Sequence, residues 1–223
     1  MRHRAPGVPR EAAPDPVLTR LRSARLYVIT PDASRERVIE VATAAMRGGA
    51  DMIQLRQKSL PRGELLALAH ELRRLIQTAL FVVNDHPDIA LLSGADGVHL
   101  GPGDLSIASA RRVAGDRLII GASASTVDAA RTAVADGADY VGCGPAFATP
   151  IKAQKAVIGP AGIAAVAHAL DPVPVFAIGG IDETNLDQLI DVGITRACVI
   201  RAVGDAADPE QATRRLRAML TAV

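Results

Sequence analysis

The feature that most constrains the fold is a unit that repeats eight times along the chain. Each unit has a short apolar run, a polar or glycine-rich stretch and a segment of helical composition rich in Ala and Leu. Continuous apolar runs alternating with helices are typical of a parallel sheet covered by helices. The runs are LYVIT (26–30), MIQL (52–55), LFVV (80–83), GVHL (97–100), LIIGAS (118–123), YVGCG (140–144), VFAIG (175–179) and ACVI (197–200).

A repeated tripeptide marks the entry to several of these runs. Gly-Ala-Asp occurs at 49–51, 94–96 and 137–139, and Gly-Ile-Thr occupies the equivalent place at 193–195. Glycine can adopt the left-handed conformation that ends a helix and turns the chain into a strand. Eight such units predict one (β/α)₈ TIM barrel of the α/β class over residues 23–223. An open doubly wound sheet is the alternative, disfavoured because no dinucleotide-binding fingerprint appears and no unit marks a reversal.

Composition excludes several partners. Five aromatic residues and a net charge of +1 argue against nucleic-acid binding, which needs stacking rings and basic surfaces. No apolar run approaches the roughly 18 residues of a membrane span, and the N-terminus lacks the apolar stretch of a secretory signal, so a cytoplasmic location is expected. Residues 1–22 are rich in Pro and Arg and predict a disordered leader outside the barrel.

The two cysteines, Cys143 and Cys198, lie inside apolar segments. This placement favours buried thiols over a disulfide or a metal site. The Ala-rich helices predicted near 126–136 and 161–169 fit packing against either the barrel or a second subunit, which leaves a homo-oligomer open.

Active sites of such barrels lie at the carboxyl ends of the strands. The polar and glycine residues that follow or end the apolar runs are therefore the candidate site. They are Thr30, Gln54, Arg56, Lys58, Asn84, Asp85, His99, Asp104, Ser123, Ser125, Thr149, Lys152, Gly179, Gly180 and Arg201.

Two parts of this set predict the binding of phosphate groups. Gly179-Gly180 follows the seventh run, where barrels often hold a phosphate on backbone N–H groups, although glycine turns are common. Strand alternation predicts that Gln54, Arg56 and Lys58 point the same way, toward a multiply charged anion at the barrel mouth. The alternative for that segment is a solvated loop that leads into the next helix.

A pair of acids predicts a metal site. Asp85 and Asp104 follow neighbouring runs, and Mg²⁺ takes one or two carboxylates together with waters and phosphate oxygens. Asp104 could instead cap the following helix. Beside Arg56, Lys58 and Lys152, the acid pair indicates a diphosphate held by Mg²⁺ and basic side chains and stabilised as it leaves.

With these residues assembled, the chain resembles the thiamine-phosphate synthase family over roughly residues 25–215. The segments that carry the resemblance occur in family order. They are LYVIT, GADMIQLRQK, VNDHPDIALLSGADGVHLGPGDL, GASAST, DGADYVGCGPAFATPIK and PVFAIGGI. The resemblance implies a transferase that joins hydroxymethylpyrimidine diphosphate to thiazole phosphate, with Mg²⁺ as cofactor, by dissociative loss of diphosphate and capture of the pyrimidine cation by the thiazole nitrogen.

The resemblance also implies roles for individual residues. Asp85 and Asp104 would be Mg²⁺ ligands, and Arg56, Lys58, Ser123 and Lys152 would act on the diphosphate. The residues implied for the pyrimidine diphosphate are Gln54, Leu55, Arg56, Gln57, Lys58, Asn84, Ser123 and Lys152. Those implied for the thiazole phosphate are Thr149, Gly180 and the backbone at Ile200 and Arg201, and Pro150 and Ile151 are implied as substrate-binding residues of neither subsite in particular.

The chain departs from the family pattern at a few positions. Pro102 stands where the family usually has Gln, with Gly103 following it. Ser125 replaces a common His, Ile151 replaces a second Thr hydroxyl, and Arg201 replaces a Ser. The metal acids and the diphosphate cations are retained.

Three other functions are alternatives. A related thiazole tautomerase would lean on the His that is Ser125 here, and it would not need the diphosphate residues. Another phosphate-sugar barrel enzyme, such as an epimerase, leaves QLRQK unexplained. A carrier or regulator that binds thiazole phosphate without catalysis would be supported by Ile151 and Arg201.

Overall fold

The computed structural model describes residues 15–149 and 156–222, and its centre is a closed barrel of eight parallel strands in the order β1 to β8. The predicted TIM barrel is confirmed. The strands are β1 (Leu26–Ile29), β2 (Met52–Leu55), β3 (Leu80–Asn84), β4 (Gly97–Leu100), β5 (Ile119–Ala124), β6 (Tyr140–Cys143), β7 (Val175–Ile178) and β8 (Ala197–Val199). Pairing of Leu26 with Ala197 closes the sheet.

Helices surround the barrel and connect its strands. They are α1 (Pro16–Ser23), α2 (Arg35–Arg47), α3 (Arg62–Leu75), α4 (Pro87–Ser93), α5 (Ile107–Ala114), α6 (Val127–Ala135), α7 (Gly159–Leu170), α8 (Asp187–Ile190), α9 (Arg201–Gly204) and α10 (Pro209–Thr221). A short 3₁₀ turn, Gly115–Arg117, precedes β5. The Ala-rich α6 and α7 pack on the barrel through residues such as Ala130, Ile163 and Val166.

Strand alternation divides the core into two layers. One layer lies between the strands and the helices and includes Leu55, Val83 and Val98. The other fills the barrel interior. Its buried members are Leu21, Ala24, Tyr27, Ile29, Met52, Leu80, Val82, Ile119, Tyr140, Phe176 and Cys198. Four of the five aromatic residues, Tyr27, Tyr140, Phe81 and Phe176, are fully buried, so the few rings serve the core.

The aspartate of each Gly-Ala-Asp tripeptide ties two strands together. Asp51 Oδ2 accepts hydrogen bonds from the backbone N–H groups of Arg25 and Leu26, at 2.8 and 2.9 Å. Asp96 and Asp139 accept in the same way from Phe81 and Ile120, at 2.7 Å each. Each carboxylate therefore satisfies backbone donors at the start of the preceding strand, while the glycine before it turns the chain with a positive φ.

Helix α1 corrects the predicted boundary of the leader. The prediction placed residues 1–22 outside the fold, whereas residues 16–23 form a helix capped by Asp15. Leu21 is 1% exposed and packs with the interior layer of the barrel. Helix α1 has too few apolar residues to show a helical period in the sequence. Residues 1–14 lie outside the described residues.

Both cysteines are free and buried, as predicted. Burial raises the pKa of the Cys143 thiol to about 11. Among the helices of residues 15–149 and 156–222, none is both long and apolar enough to cross a membrane.

Candidate active site

An open depression at the carboxyl ends of β3 and β4 contains the predicted metal acids. It has a volume of about 500 Å³ and is lined by Lys58, Asp85, His86, Gly103, Asp104 and Leu105. Lys58 Nζ lies 3.6 Å from Asp85 Oδ2. Asp85 follows β3 directly, and its backbone N–H donates to the carbonyl of His99 at 2.9 Å, which fixes it against β4.

Asp85 is held in an unfavourable state in two respects. Its φ of 65° lies in the left-handed region, which residues other than glycine rarely adopt and which is found mostly where function requires it. Burial, followed by the nearby Asp104, raises the pKa of the Asp85 carboxyl, while Lys58 lowers it. Two partly buried carboxylates that lie close together destabilise the folded state unless a cation lies between them.

Asp104 is placed by the turn that follows β4. Its Oδ2 accepts from the Gly101 N–H at 2.7 Å, and its N–H donates to the Gly101 carbonyl at 3.2 Å. The alternative that Asp104 caps the next helix does not hold, because Ser106 is the N-cap of α5. Within the described residues no three His, Cys, Asp or Glu side chains cluster as a metal site. Two carboxylates facing an open depression are nevertheless a donor set that suits Mg²⁺, which completes its shell with water and phosphate.

A second cavity lies at the ends of β7 and β8. It has a volume of about 260 Å³ and contains four residues predicted for the thiazole phosphate, Thr149, Gly180, Ile200 and Arg201. Gly179 and Gly180 have φ values of 106° and 67°. A Cβ at Gly180 would lie 2.6 Å from the Ala148 carbonyl oxygen, so only glycine fits this turn without displacement.

Asn185 is a site residue that the sequence did not reveal. Its Nδ2 donates to the Gly180 carbonyl at 2.8 Å, and its Oδ1 accepts from the Asp182 N–H at 3.0 Å. The single side chain thereby holds both ends of the turn that shapes the second cavity. An Asn five residues beyond the last glycine of a glycine turn is the signal that could have found it, because such side chains often bond loop backbone.

The side chains of the QLRQK segment lie in several different environments instead of all pointing to the barrel mouth or away from it. Gln54 is buried in the barrel interior, where its Nε2 donates to the Tyr27 hydroxyl. The Leu55 side chain belongs to the layer under the helices, and its implied part in substrate binding stays a prediction. Gln57 is also buried, and its Nε2 donates to the Ala33 carbonyl at 2.7 Å. β2 ends at Leu55, so of the three residues predicted to alternate only Gln54 lies on the strand, and its side chain lies one layer below the mouth.

Arg56 and Lys58 remain the two cations of this segment at the mouth. The backbone N–H of Arg56 donates to Thr30 Oγ1 at 3.1 Å, which ties the end of β2 to the end of β1. The Lys58 side chain is 54% exposed.

Asn84 and Ser123 lie near the carboxyl ends of β3 and β5, which flank β4. Asn84 is the last residue of β3, directly before Asp85. Ser123 lies near the end of β5, and its Oγ is 2.9 Å from His99 Nε2. Ser125, the residue at the family's His position, is exposed beyond that strand, and Pro102 and Gly103 lie in the exposed turn before Asp104. Pro150, Ile151 and Lys152, three predicted site residues, lie outside the described residues.

Comparisons with known proteins agree with this architecture. The family model for thiamine monophosphate synthase matches residues 26–203. The chain is 43% identical over 201 residues to a thiamine-phosphate synthase of Thermosynechococcus vestitus, covering 89% of this chain and 56% of that protein. It is 45% identical over 207 residues to a thiamine-phosphate synthase of Anaeromyxobacter dehalogenans, covering 91% of this chain and 90% of that protein.

A solved structure shows the same fold at similar identity. The thiamine phosphate pyrophosphorylase from Pyrococcus furiosus superposes with a TM-score of 0.82 at 38% sequence identity. The superposition covers 91% of this chain and 97% of that chain. The chain thus spans somewhat over half the length of the Thermosynechococcus relative, and nearly all of the Anaeromyxobacter and Pyrococcus ones.

Proposed function

This chain belongs to the thiamine monophosphate synthase family, and from that premise we propose that it joins hydroxymethylpyrimidine diphosphate to thiazole phosphate, forming thiamine phosphate and releasing diphosphate. The observation that carries the proposal is the pair of unlike pockets at one end of the barrel. One contains two carboxylates and a lysine, and the other is lined by a glycine turn and Arg201. A transferase of this kind needs one subsite for a diphosphate with its metal and one for a monophosphate.

In this proposal the first pocket holds the diphosphate. Arg56 offers a fork of N–H donors and Lys58 a mobile ammonium, and Ser123 adds a hydroxyl from β5. Lys152 would supply a third cation from the segment after β6. The donors that bind the diphosphate also stabilise the charge that develops on it as it leaves, so binding and catalysis use the same residues.

Asp85 and Asp104 would hold Mg²⁺ in this pocket, and the bound ion would neutralise charge on the departing diphosphate. The donor set supports this assignment, because two close carboxylates with a raised pKa at Asp85 favour a bound cation. Lys58, whose Nζ lies 3.6 Å from Asp85 Oδ2, would contact the diphosphate beside the acids that hold the cation.

The second pocket would hold the thiazole phosphate. Backbone N–H groups of the Gly179-Gly180 turn and of Ile200 and Arg201 would bind its phosphate, with the Thr149 hydroxyl as a further donor. The bond from the pyrimidine methylene carbon to the diphosphate oxygen breaks first, and the thiazole nitrogen then forms its bond to the resulting carbon cation. No general base is required, since the nitrogen attacks with its own lone pair.

The serine at position 125 weighs against a tautomerase. A serine there supplies no group that titrates near neutral pH, in contrast to the family's usual His. The diphosphate pocket, which a tautomerase would not need, is kept.

The proposal is tested by incubating the purified protein with Mg²⁺, pyrimidine diphosphate and thiazole phosphate and measuring thiamine phosphate by chromatography. We expect product that depends on both substrates and disappears with chelator. Asp85→Ala should lose most turnover, with only partial restoration by excess Mg²⁺, whereas Asp128→Ala, at an exposed position of α6, should retain it. Background product while both ligands bind would favour the carrier, and turnover of thiazole carboxylate phosphate alone would favour the tautomerase.

A further inference from the structure

A continuous chain of polar side chains crosses the interior of the barrel from β2 to β5. Gln54 Nε2 donates to the Tyr27 hydroxyl, whose oxygen lies 3.0 Å from that of Tyr140. The Tyr140 hydroxyl lies 3.3 Å from His99 Nδ1, and His99 Nε2 lies 2.9 Å from Ser123 Oγ. The buried chain therefore ends at a hydroxyl at the barrel mouth.

Two glycines inside strands make room for this chain. A Cβ at Gly121 would lie 2.4 Å from the Tyr140 hydroxyl oxygen and 2.6 Å from His99 Nδ1. A Cβ at Gly142 would lie 3.3 Å from His99 Cε1. Glycine weakens a strand interior and often marks a close approach of other atoms. The His99–Tyr140 contact is thus a built feature of β4, β5 and β6 that occupies space two side chains would otherwise fill.

The Gln54 amide favours one direction for the protons of the chain. Burial is the main cause that raises the pKa of Tyr27 and of Tyr140, so each phenol keeps its proton. The 3.0 Å contact between the two phenols allows either oxygen to be the donor. In the direction proposed here, Tyr27, which already accepts from the Gln54 amide, donates to Tyr140, and Tyr140 donates to His99 Nδ1. With Nδ1 as acceptor, the proton of a neutral His99 is on Nε2, which donates to Ser123 Oγ.

This direction decides what Ser123 presents to a ligand. When His99 Nε2–H donates to the Ser123 oxygen, the serine proton is left to donate toward the mouth. In the opposite tautomer Ser123 would donate to Nε2 and turn lone pairs toward the mouth. A diphosphate oxygen accepts hydrogen bonds and is repelled by lone pairs, so only the first arrangement serves an anion.

We propose that His99 is a positioning residue, held as its Nε2–H tautomer by Tyr140, Tyr27 and Gln54 so that the Ser123 hydroxyl always donates to the diphosphate. The proposal deepens the proposed function and rests on it, because it assigns Ser123 to the diphosphate pocket. His99 itself has no contact with the substrate in this arrangement and acts through Ser123.

The tautomer can be measured in the wild-type protein, with one variant used only to assign the signals. Protein with ¹⁵N-labelled histidine is examined by long-range ¹H–¹⁵N correlation, with the His99 signals assigned by their loss in His99→Gln. We expect the pattern of a protonated Nε2 and an unprotonated, accepting Nδ1. A protonated Nδ1 overturns the proposal.

Affinity for inorganic diphosphate in the presence of Mg²⁺ tests the consequence, by calorimetry on a double-mutant cycle. Ser123→Ala and Tyr140→Phe should each weaken binding about tenfold, near the low end for a hydrogen bond to a charged group. The double variant should bind no more weakly than Ser123→Ala. Additive weakening, or an unchanged affinity in Tyr140→Phe, overturns the proposal.

Phe176→Leu is the matched control, because Phe176 contacts both Tyr27 and Tyr140 edge to face but makes no hydrogen bond in the chain of contacts. Its diphosphate affinity should stay within about twofold of wild type; a tenfold loss there would assign the effect to packing and overturn the proposal. These measurements use inorganic diphosphate, so a failure to make thiamine phosphate rejects the proposed function separately. Normal synthesis of thiamine phosphate, together with additive losses or an unchanged affinity in Tyr140→Phe, rejects only the role of His99.

Discussion

At the scale of single residues, Asp85 shows how a site stores unfavourable free energy. Its left-handed backbone and its raised carboxyl pKa both oppose folding in the absence of a cation. Asparagine tolerates the left-handed region about as well as aspartate and carries no charge. The two costs can therefore be separated by substitution.

We predict that Asp85→Asn raises the melting temperature of the metal-free protein at pH 7 by about 2 °C while lowering turnover about a hundredfold. The carboxyl pKa is raised in the folded state, so its charge destabilises the fold at neutral pH. The advantage of Asn should therefore shrink as the pH falls through that raised pKa and vanish below the unfolded value. Calorimetric scans from pH 4 to 7, with activity assays, measure both effects.

Asp85→Ala is the control for the backbone. It removes the same charge but places Ala at a φ of 65°, which costs about 1–2 kcal/mol. Its melting temperature should be below that of Asp85→Asn. Equal melting temperatures would show that the backbone conformation carries no cost here.

Arg201 is the departure from the family pattern with the clearest consequence. It begins α9, is exposed and lines the cavity assigned to the thiazole phosphate. We predict that Arg201→Ser raises the apparent KM for thiazole phosphate about five- to tenfold, the loss of one charge-assisted contact, with kcat nearly unchanged. A selective rise in KM for pyrimidine diphosphate would place Arg201 in the other subsite.

Sequence periodicity located the strand ends and so the candidate residues, but it could not set their depth. Gln54 and Ser123 are both predicted from their places at the ends of apolar runs, yet Gln54 lies in the interior against Tyr27 while Ser123 lies near the end of β5. The contact between His99 and Ser123 joins neighbouring strands and depends on space left by Gly121 and Gly142. No local pattern in one strand records such a relation.

At the scale of elements, the Gly-Ala-Asp repeat was read from sequence as a turn signal, and its glycines do have positive φ values. The aspartates were not assigned a role. A helix separates each aspartate in sequence from the strand to which it bonds, and the arginine partners are still more distant in sequence. Local spacing cannot show contacts of this range.

We predict that Asp139→Ala lowers the free energy of unfolding by about 2–3 kcal/mol, because it leaves the Ile120 N–H and the Arg111 guanidinium without their carboxylate partner. Urea denaturation followed by circular dichroism measures the loss. Substrate KM values should not change, since the bond lies at the end of the barrel opposite the site. Asp136→Ala, three residues earlier and exposed, should change stability by less than about 0.5 kcal/mol. Equal losses in the two variants would refute the strand-tying role.

Helix α1 shows the other limit of prediction from sequence. Apart from Pro16, its apolar residues are only Val17, Leu18 and Leu21, within a region rich in Pro and Arg. Eight residues are too few to establish a helical period against that background. The helix is stabilised by tertiary contact, since Leu21 and Ala24 pack with the interior layer of the barrel.

At the scale of the whole molecule, the net charge of +1 conceals a concentration of acidic and basic side chains at one end of the barrel. The fold class followed from the count of eight units, because that number closes a parallel sheet. Closure brings Lys58 of the second unit, Asp85 of the third and Asp104 of the fourth to one depression, and Arg201 of the eighth to another. Neither depression is complete in any one unit, so the site exists only in the closed barrel.

This dependence predicts a thermodynamic coupling between ligands and the whole fold. Ligands that bind only the closed barrel stabilise it by mass action, by about 2.7 kcal/mol at one hundred times the Kd. For a chain of this size that is a rise in melting temperature of about 5–10 °C. We expect Mg²⁺ with inorganic diphosphate to produce this rise in a thermal scan, and either alone to produce much less, because the acids need the cation and the cation needs the phosphate oxygens. Asp136→Ala should show the full rise and Asp85→Ala only a small part of it. A full rise in Asp85→Ala would mean that diphosphate is held by the cations without a metal, and that Asp85 acts elsewhere in the reaction.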